Sequence, residues 1–138
     1  MISSRSFKPV TLFDGKSIPF DDDSFDTVML IDVLHHTTDP LSLLLEASRI
    51  AIKTIIIKDH ILEGILAYQT LCFMDWIGNA HHGVALPKNY FTKKQWESKL
   101  YEVELRIDYW NEKIKLYPIV VDWLFGRSLH FISRLEHM

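Results

Sequence analysis

Two segments that each contain a continuous apolar run limit the folds open to this chain more than any other feature of its sequence. The first is FDTVMLIDV, residues 25–33, and the second is TIIIKDH, residues 54–60. Neither run alternates apolar with polar residues along its length, which is typical of a strand that is buried on both faces. Strands of this kind occur in parallel sheets, where a helix usually connects one strand to the next.

The residues between the two runs supply the expected helix. Asp39 is a favourable N-cap, and Pro40 then falls at the first helical position, where its missing N–H costs nothing. Apolar side chains follow at roughly helical spacing, at Leu41, Leu44, Leu45 and Ile50. Strand, helix and strand in this order predict a βαβ unit, and therefore an α/β fold.

Two short segments precede the first run. PVTLFD, residues 9–14, is apolar and β-branched, so it is expected to form a strand. GKSIPFDDDS, residues 15–24, contains Gly, Ser, Pro and three consecutive Asp residues, which predict a turn.

The middle of the chain predicts two more helices. A helical stripe of apolar side chains covers residues 61–77, and a loop is expected over residues 78–89. Thr92 and Gln95 stand at capping-box spacing, which predicts the start of the next helix. Phe91 and Trp96 flank that start at the spacing of a hydrophobic staple.

The C-terminal part predicts a pair of strands. VELRIDYW, residues 103–110, alternates with Val103, Leu105, Ile107 and Tyr109 on one face, which is typical of a strand with one wetter face. SLHFISRL, residues 128–135, is expected to pair with it. The apolar segment between them, residues 116–126, is expected to pack on the core or to line a pocket.

Length and composition favour one compact unit. The chain has 138 residues, so residues 1–138 are expected to form a single domain. Apolar residues make up 48% and charged residues 24%, as in ordinary globular proteins. The formal net charge is −3 and no block of Lys and Arg is present, which argues against a nucleic-acid partner.

The sequence also bears on the compartment. Cys72 is the only cysteine, so no intrachain disulfide can form, as is usual in reducing compartments. The N-terminal residues lack the apolar core of a signal peptide. The longest uncharged apolar stretch, residues 64–74, is shorter than the roughly 20 residues of a membrane-spanning helix. We therefore expect a cytoplasmic protein with no membrane span.

Three local signatures resemble the class I S-adenosylmethionine-dependent methyltransferases. They are Asp14 at the end of a strand, SIPFDDDSFD at residues 17–26, and LIDVLHHTTDPLSLLLEASRI at residues 30–50. The resemblance implies an incomplete Rossmann-like methyltransferase sheet, mostly parallel with a C-terminal antiparallel hairpin. In family terms the strand order is three, two, one, four, five, seven, six.

The same resemblance implies S-adenosylmethionine as cofactor and assigns residues to its two ends. Asp14 and Gly15 would contact the adenine edge, and Ile18 would wall the ring. At the other end, Asp32, Val33 and His35 would face the methionine part. From the residues alone, alternatives stay open: Asp14 as a plain turn cap, Asp32 as a solvent-facing strand end, and His35 or His36 as a packing or capping residue.

Methyl transfer needs a base near the acceptor, and candidates occur at strand ends and in the loop after them. They are His35, Asp59, His60 and His82. The resemblance makes residues 61–90 a substrate-covering insertion over a small-molecule acceptor. Its aromatic residues Tyr68, Phe73 and Trp76 indicate a hydrophobic one. No H-x-x-x-H, C-x-x-C or H-E-x-x-H spacing is present, so no metal site is predicted.

Two family features are absent from the sequence. The five glycines form no Gly-rich cofactor turn, and no strand with a ribose-binding acid follows one. The chain is therefore expected to be the C-terminal part of a methyltransferase, a truncated form that is inactive on its own. The alternative is a catalytically silent association module. In either case strand 25–33 would lie at an open sheet edge, which predicts a homodimer.

Overall fold

A computed structural model describes residues 9–79, 87–114 and 129–138. Four strands and three α-helices make up the described fold. In chain order the elements are β1 (Phe25–Ile31), a short 3₁₀-helix (Leu34–His36), α1 (Pro40–Ile50), β2 (Ala51–His60), α2 (Ala67–Asn79), α3 (Lys93–Glu102), β3 (Leu105–Asn111) and β4 (His130–His137). Within these ranges, no helix is long and apolar enough to cross a membrane.

The four strands form one sheet in the order β1-β2-β4-β3. β1 and β2 are parallel, whereas β4 is antiparallel to both β2 and β3. Three strands therefore point the same way and only β4 is reversed. This order equals strands four, five, seven and six of the methyltransferase sheet, so the predicted fold class is confirmed.

Helix α1 connects the two parallel strands as predicted. The Asp39 carboxylate caps it by accepting a hydrogen bond from the Ser42 N–H at 3.1 Å, and Pro40 occupies the first position. Its buried residues are Pro40, Leu43, Leu44, Ala47 and Ile50. Leu45, expected in the apolar stripe, is exposed. The last helical residue, Ile50, is followed directly by the first residue of β2, Ala51.

Residues 9–14 do not form the predicted strand. A β-branched segment becomes a strand only when a neighbour accepts its backbone hydrogen bonds, and this segment joins no ladder. Its side chains lie on the surface, and Leu12 is 74% exposed. The turn predicted over 15–24 is present, and Gly15 and Asp23 supply its positive φ angles.

Helix α2 begins six residues later than the stripe at 61–77 predicts. Gly64 and Leu66 have φ angles of 94° and 60°, and these left-handed residues prevent a helix from starting earlier. A second small core lies beneath the helix and comprises Ala67, Leu71, Tyr90 and Leu129.

Helix α3 has the predicted capping box, and the Phe91 and Trp96 rings meet edge to face at 5.2 Å. β3 begins at Leu105 because Val103 is the C-cap of this helix. The strict alternation predicted for the strand is wrong beyond Ile107, where the register shifts. Tyr109 is exposed as a result, and Trp110 instead stacks on Phe131 in the core at 4.1 Å. The segment 116–126 lies outside the described residues.

Candidate functional site

The Asp14 carboxylate organises the acidic turn. Its Oδ1 accepts hydrogen bonds from the N–H groups of Lys16 at 2.8 Å and Ser17 at 2.9 Å. These backbone donors lower the pKa of Asp14 below its usual value. Gly15 follows with φ of 80°, a conformation that favours glycine. Asp14 therefore has the turn-capping role that the sequence left open.

Asp14 also lines a cleft of about 580 Å³. The acidic turn supplies one part of the wall, and the segment between the 3₁₀-helix and α1 supplies the rest. The lining residues are Asp14, Gly15, Lys16, His36, Thr37, Thr38, Asp39 and Ser42. Ile18 lines a neighbouring surface depression instead, together with Arg49.

Two α1 residues hold the acidic turn in place. Glu46 accepts a hydrogen bond from the Ile18 N–H at 2.7 Å. Arg49 donates to the carbonyl oxygens of Ile18 and Phe20 at 2.9 and 2.8 Å, and to the Asp22 carboxylate at 2.8 Å. The Arg49 guanidinium, with the Ile18 N–H, lowers the pKa of Glu46 to about 2. Both residues belong to the signature at residues 30–50, but no role was predicted for them from the sequence. Their i,i+3 spacing on a helix that follows an acidic turn is the signal that could have predicted the contact.

At the end of β1, Asp32 has a left-handed backbone with φ of 51°. Asp tolerates this conformation better than most residues, and it turns the chain into the 3₁₀-helix. The Lys58 ammonium lies 2.6 and 2.7 Å from the two Asp32 carboxylate oxygens. Asp32 is therefore half of an ion pair rather than a strand end that faces only solvent. Val33 next to it is partly buried against the core.

Three of the predicted catalytic candidates meet behind this ion pair. The His35 Nδ1 lies 2.5 Å from Asp59 Oδ1 and 3.2 Å from the His60 Nδ1. The backbone fixes Asp59, because the Leu34 N–H donates to Oδ2 at 3.0 Å and the His60 N–H donates to Oδ1 at 2.7 Å. All three side chains are buried. The fourth candidate, His82, lies outside the described residues.

The histidines of this cluster differ in their protonation. Burial by itself would lower the pKa of His35, but its hydrogen bond to Asp59 and the nearby carboxylates raise it above the ordinary value. Burial, with the charge of His35, lowers the pKa of His60 to about 2. Burial, with the charge of Lys58, lowers the pKa of His130 to about 4. Near neutral pH, His60 and His130 are therefore uncharged.

Helix α2 adds a carboxylate that sequence reasoning missed. Asp75 Oδ1 lies 3.7 Å from the His35 Nε2, and the Tyr90 hydroxyl donates to Asp75 Oδ2. Burial and the hydrogen bond to Asp75 raise the pKa of Tyr90. No sequence signal pointed to this pair, because Asp75 lies in α2 and Tyr90 lies in the segment before α3, and only tertiary packing joins them.

A second cleft, of about 280 Å³, opens onto the cluster. Its lining residues are Asp32, His35, His36, Lys58, His60, Met74, Asp75, Gly78, Asn79 and His130. The α2 residues in this wall are not the aromatic ones named from the sequence; Tyr68, Phe73 and Trp76 are each about half exposed. His36 lines both clefts, so the two cavities share a wall.

Comparison with known proteins agrees with this architecture. Residues 3–55 match the family model described as a methyltransferase domain, which spans the acidic turn, β1, α1 and half of β2. This part of the chain is therefore similar to methyltransferase domains. No curated protein matches the sequence.

Solved methyltransferase structures share the fold. An S-adenosylmethionine-dependent methyltransferase from Methanosarcina mazei matches with a TM-score of 0.66 at 16% identity, over 93% of this chain and 66% of that protein. One from Aquifex aeolicus matches with a TM-score of 0.59 at 17% identity, over 94% of this chain and 55% of that protein. One from Mesorhizobium loti matches with a TM-score of 0.64 at 15% identity, over 91% of this chain and 67% of that protein. The chain thus spans between half and two thirds of their length.

The resemblance to methyltransferases implies S-adenosylmethionine as cofactor, and it assigns the adenine end to the acidic-turn cleft. The exocyclic amine of adenine is a hydrogen-bond donor, which suits a carboxylate acceptor such as Asp14. A Cβ placed on Gly15 would meet nothing within 4 Å, so a flat ring has room to approach. These two positions are the ones that the methyltransferase resemblance assigned.

Proposed function

We propose that this chain forms the adenine-binding and acceptor-binding parts of an S-adenosylmethionine-dependent methyltransferase. The shared wall between the two clefts is the observation that carries the proposal. Asp14 and Gly15 lie on one side of His36, and the buried cluster of His35, Asp59 and His60 lies on the other. A cofactor held at its adenine end in the first cleft would reach toward the second, as ligands do at the carboxyl ends of parallel strands.

In this proposal the cofactor supplies the methyl group, and the residues of the second cleft handle the acceptor. His35 and His60 line this cleft, and the hydrogen bond to Asp59 holds the His35 ring in place, so an imidazole is available there to act as the base. Met74, an apolar side chain that lines this cleft, supports a small, partly hydrophobic acceptor. Residues 61–90 would then cover the substrate.

We further propose that the 138-residue chain alone binds the cofactor weakly and transfers no methyl group. The cofactor's ribose and methionine ends need partners, and the sequence contains no Gly-rich turn to supply them. Methyl transfer depends on aligning the sulfonium with the acceptor, so a cofactor held only at its adenine end is not positioned for reaction.

Isothermal titration with S-adenosylhomocysteine tests both statements. We expect weak binding that Asp14→Ala removes, with Asp21→Ala as a matched control outside the cleft. Micromolar or tighter binding by the unmodified chain would contradict the proposed weakness. Binding that survives Asp14→Ala unchanged would remove Asp14 from the cofactor site.

A second candidate function is a catalytically silent module that forms a homodimer. One observation favours it: β1 lies at an edge of the described sheet, and its side chains Phe25, Met29 and Ile31 are exposed on one face. Exposed apolar side chains beside unpaired backbone groups form a template for pairing with a second copy.

A further inference from the structure

We propose that the buried strand-end cluster is a binding site for a divalent transition-metal ion of the Zn²⁺ class. The ligands are His35 Nδ1, His60 Nδ1 and the Asp59 carboxylate, with Asp32 at the mouth. One ligand atom from each of these four residues lies within 4.8 Å of all the others. The sequence predicted no metal because it has no short ligand spacing; here the parallel strands β1 and β2 bring distant residues to one edge instead.

The distances among the three buried atoms support coordination. His35 Nδ1 and His60 Nδ1 are 3.2 Å apart, and His60 Nδ1 lies 3.6 Å from Asp59 Oδ1. Two ligands at tetrahedral angles, each about 2.0–2.1 Å from zinc, are roughly 3.3 Å apart. Among these three atoms, only the His35–Asp59 contact, at 2.5 Å, must open to admit an ion; Asp32 would also have to release one oxygen from Lys58.

Lone pairs also converge at this point. His35 Nδ1 carries at most one proton, and its two near neighbours are Asp59 Oδ1 and His60 Nδ1. If that proton is donated to Asp59, His35 Nδ1 has no second proton to donate to His60 Nδ1. A cation in the middle accepts an electron pair from all three atoms at once.

The side chains around the cluster point the same way. Asp32, Asp59 and Asp75 place three carboxyl groups around it, and Lys58 is the one lysine or arginine that lines this cleft among the described residues. A bound cation would give these oxygen atoms a partner in a largely buried site, where unpaired polar groups are costly.

The surroundings resemble an outer shell around a metal. His35 would bind the ion through Nδ1 and present its Nε2–H to Asp75, 3.7 Å away, which itself accepts a hydrogen bond from Tyr90. Carboxylates that orient ligating histidines in this way are common at metal sites. The 280 Å³ cleft, where Asp32 is partly exposed, provides an entry path.

The test is titration of tag-free, chelator-treated 138-residue protein with Co²⁺, followed by visible absorption and displacement with Zn²⁺. We expect one Co²⁺ per chain with the intense bands of a four-coordinate ion. Asp59→Asn and His60→Gln should each weaken binding by at least about 10–100-fold, the loss that even outer partners cause. His137→Asn, which removes a histidine that contacts Ser48 and Ala51 instead, should leave the affinity unchanged.

A second measurement needs no variant, in case either substitution prevents folding. Proton NMR of the Co²⁺-loaded wild type should show two exchangeable, strongly shifted Nε2–H signals, one each from His35 and His60. A spectrum of aqueous Co²⁺ only, a wild-type band in either ligand variant, or the absence of those two signals would overturn the proposal. None of these measurements depends on methyl transfer. A negative result would therefore reject the metal site without rejecting the proposed function, and a failed cofactor titration would not reject the metal site.

Discussion

At the scale of single residues, Glu46 joins α1 to the acidic turn through its hydrogen bond from the Ile18 N–H and its ion pair with Arg49. Its folded pKa of about 2 lies below the ordinary 4.5, so its contribution to stability is present above pH 4.5 and is lost as the pH falls toward 2. We expect Glu46→Gln to cost about 1 kcal/mol at pH 7, since the pair is partly exposed. That corresponds to roughly 4 °C in Tm. We also expect a shallower loss of Tm than wild type between pH 4.5 and 3.

Thermal melts followed by circular dichroism at pH 7, 4.5 and 3 measure both effects. Glu102→Gln, on the exposed end of α3, is the matched control and should follow the wild-type curve. Parallel acid profiles for wild type and Glu46→Gln would show that Glu46 does not hold the turn.

At the scale of elements, the Asp75 carboxylate joins α2 to the rest of the fold through its contacts with Tyr90 and His35. Tyr90→Phe removes the hydroxyl that donates to Asp75 and leaves a buried carboxylate with one donor fewer, at a cost of about 1–3 kcal/mol. We expect amide exchange in residues 67–79 to accelerate relative to α1, as measured by hydrogen–deuterium exchange. The control is Tyr101→Phe, at a residue that is 74% exposed. Unchanged exchange in α2 would show that its apolar contacts suffice.

The elements also show how far sequence reasoning reaches. β1, α1 and β2 were predictable because continuous apolar runs, an N-cap and Pro40 are local signals. The expected burial on both faces is wrong for β1, where only Leu30 is buried. The gathering of His35, Asp59 and His60 followed from the parallel strands, since their carboxyl ends share an edge. Asp75, Tyr90 and the register shift after Ile107 were not predictable, because each depends on a tertiary neighbour. The strand predicted at 9–14 failed for the same reason: local propensity cannot supply a partner.

At the scale of the whole molecule, the position of β1 at an edge of the sheet formed by the described residues predicts self-association. Met29 is 60% exposed on the uncovered face of β1, between the exposed side chains of Phe25 and Ile31. We expect light scattering to give a dimer at low micromolar concentration, and Met29→Lys to give a monomer, because a buried charge would oppose pairing at this edge. Ile65→Lys, at an exposed residue on another part of the surface, should leave the dimer intact. A wild-type monomer at that concentration would contradict the prediction.

Helix α1 ends at Ile50 and strand β2 begins at Ala51, with no residue between them. The chain therefore has no linker there that could absorb an inserted or deleted residue. Each residue of α1 advances about 100° around its axis, whereas each residue of β2 reverses its face. One residue inserted at the junction therefore has two outcomes. Either it rotates Glu46 and Arg49 away from the turn they hold, or it moves Asp59 to the opposite face of the sheet. An insertion at this junction would thus misalign the two clefts without changing any residue that lines either one.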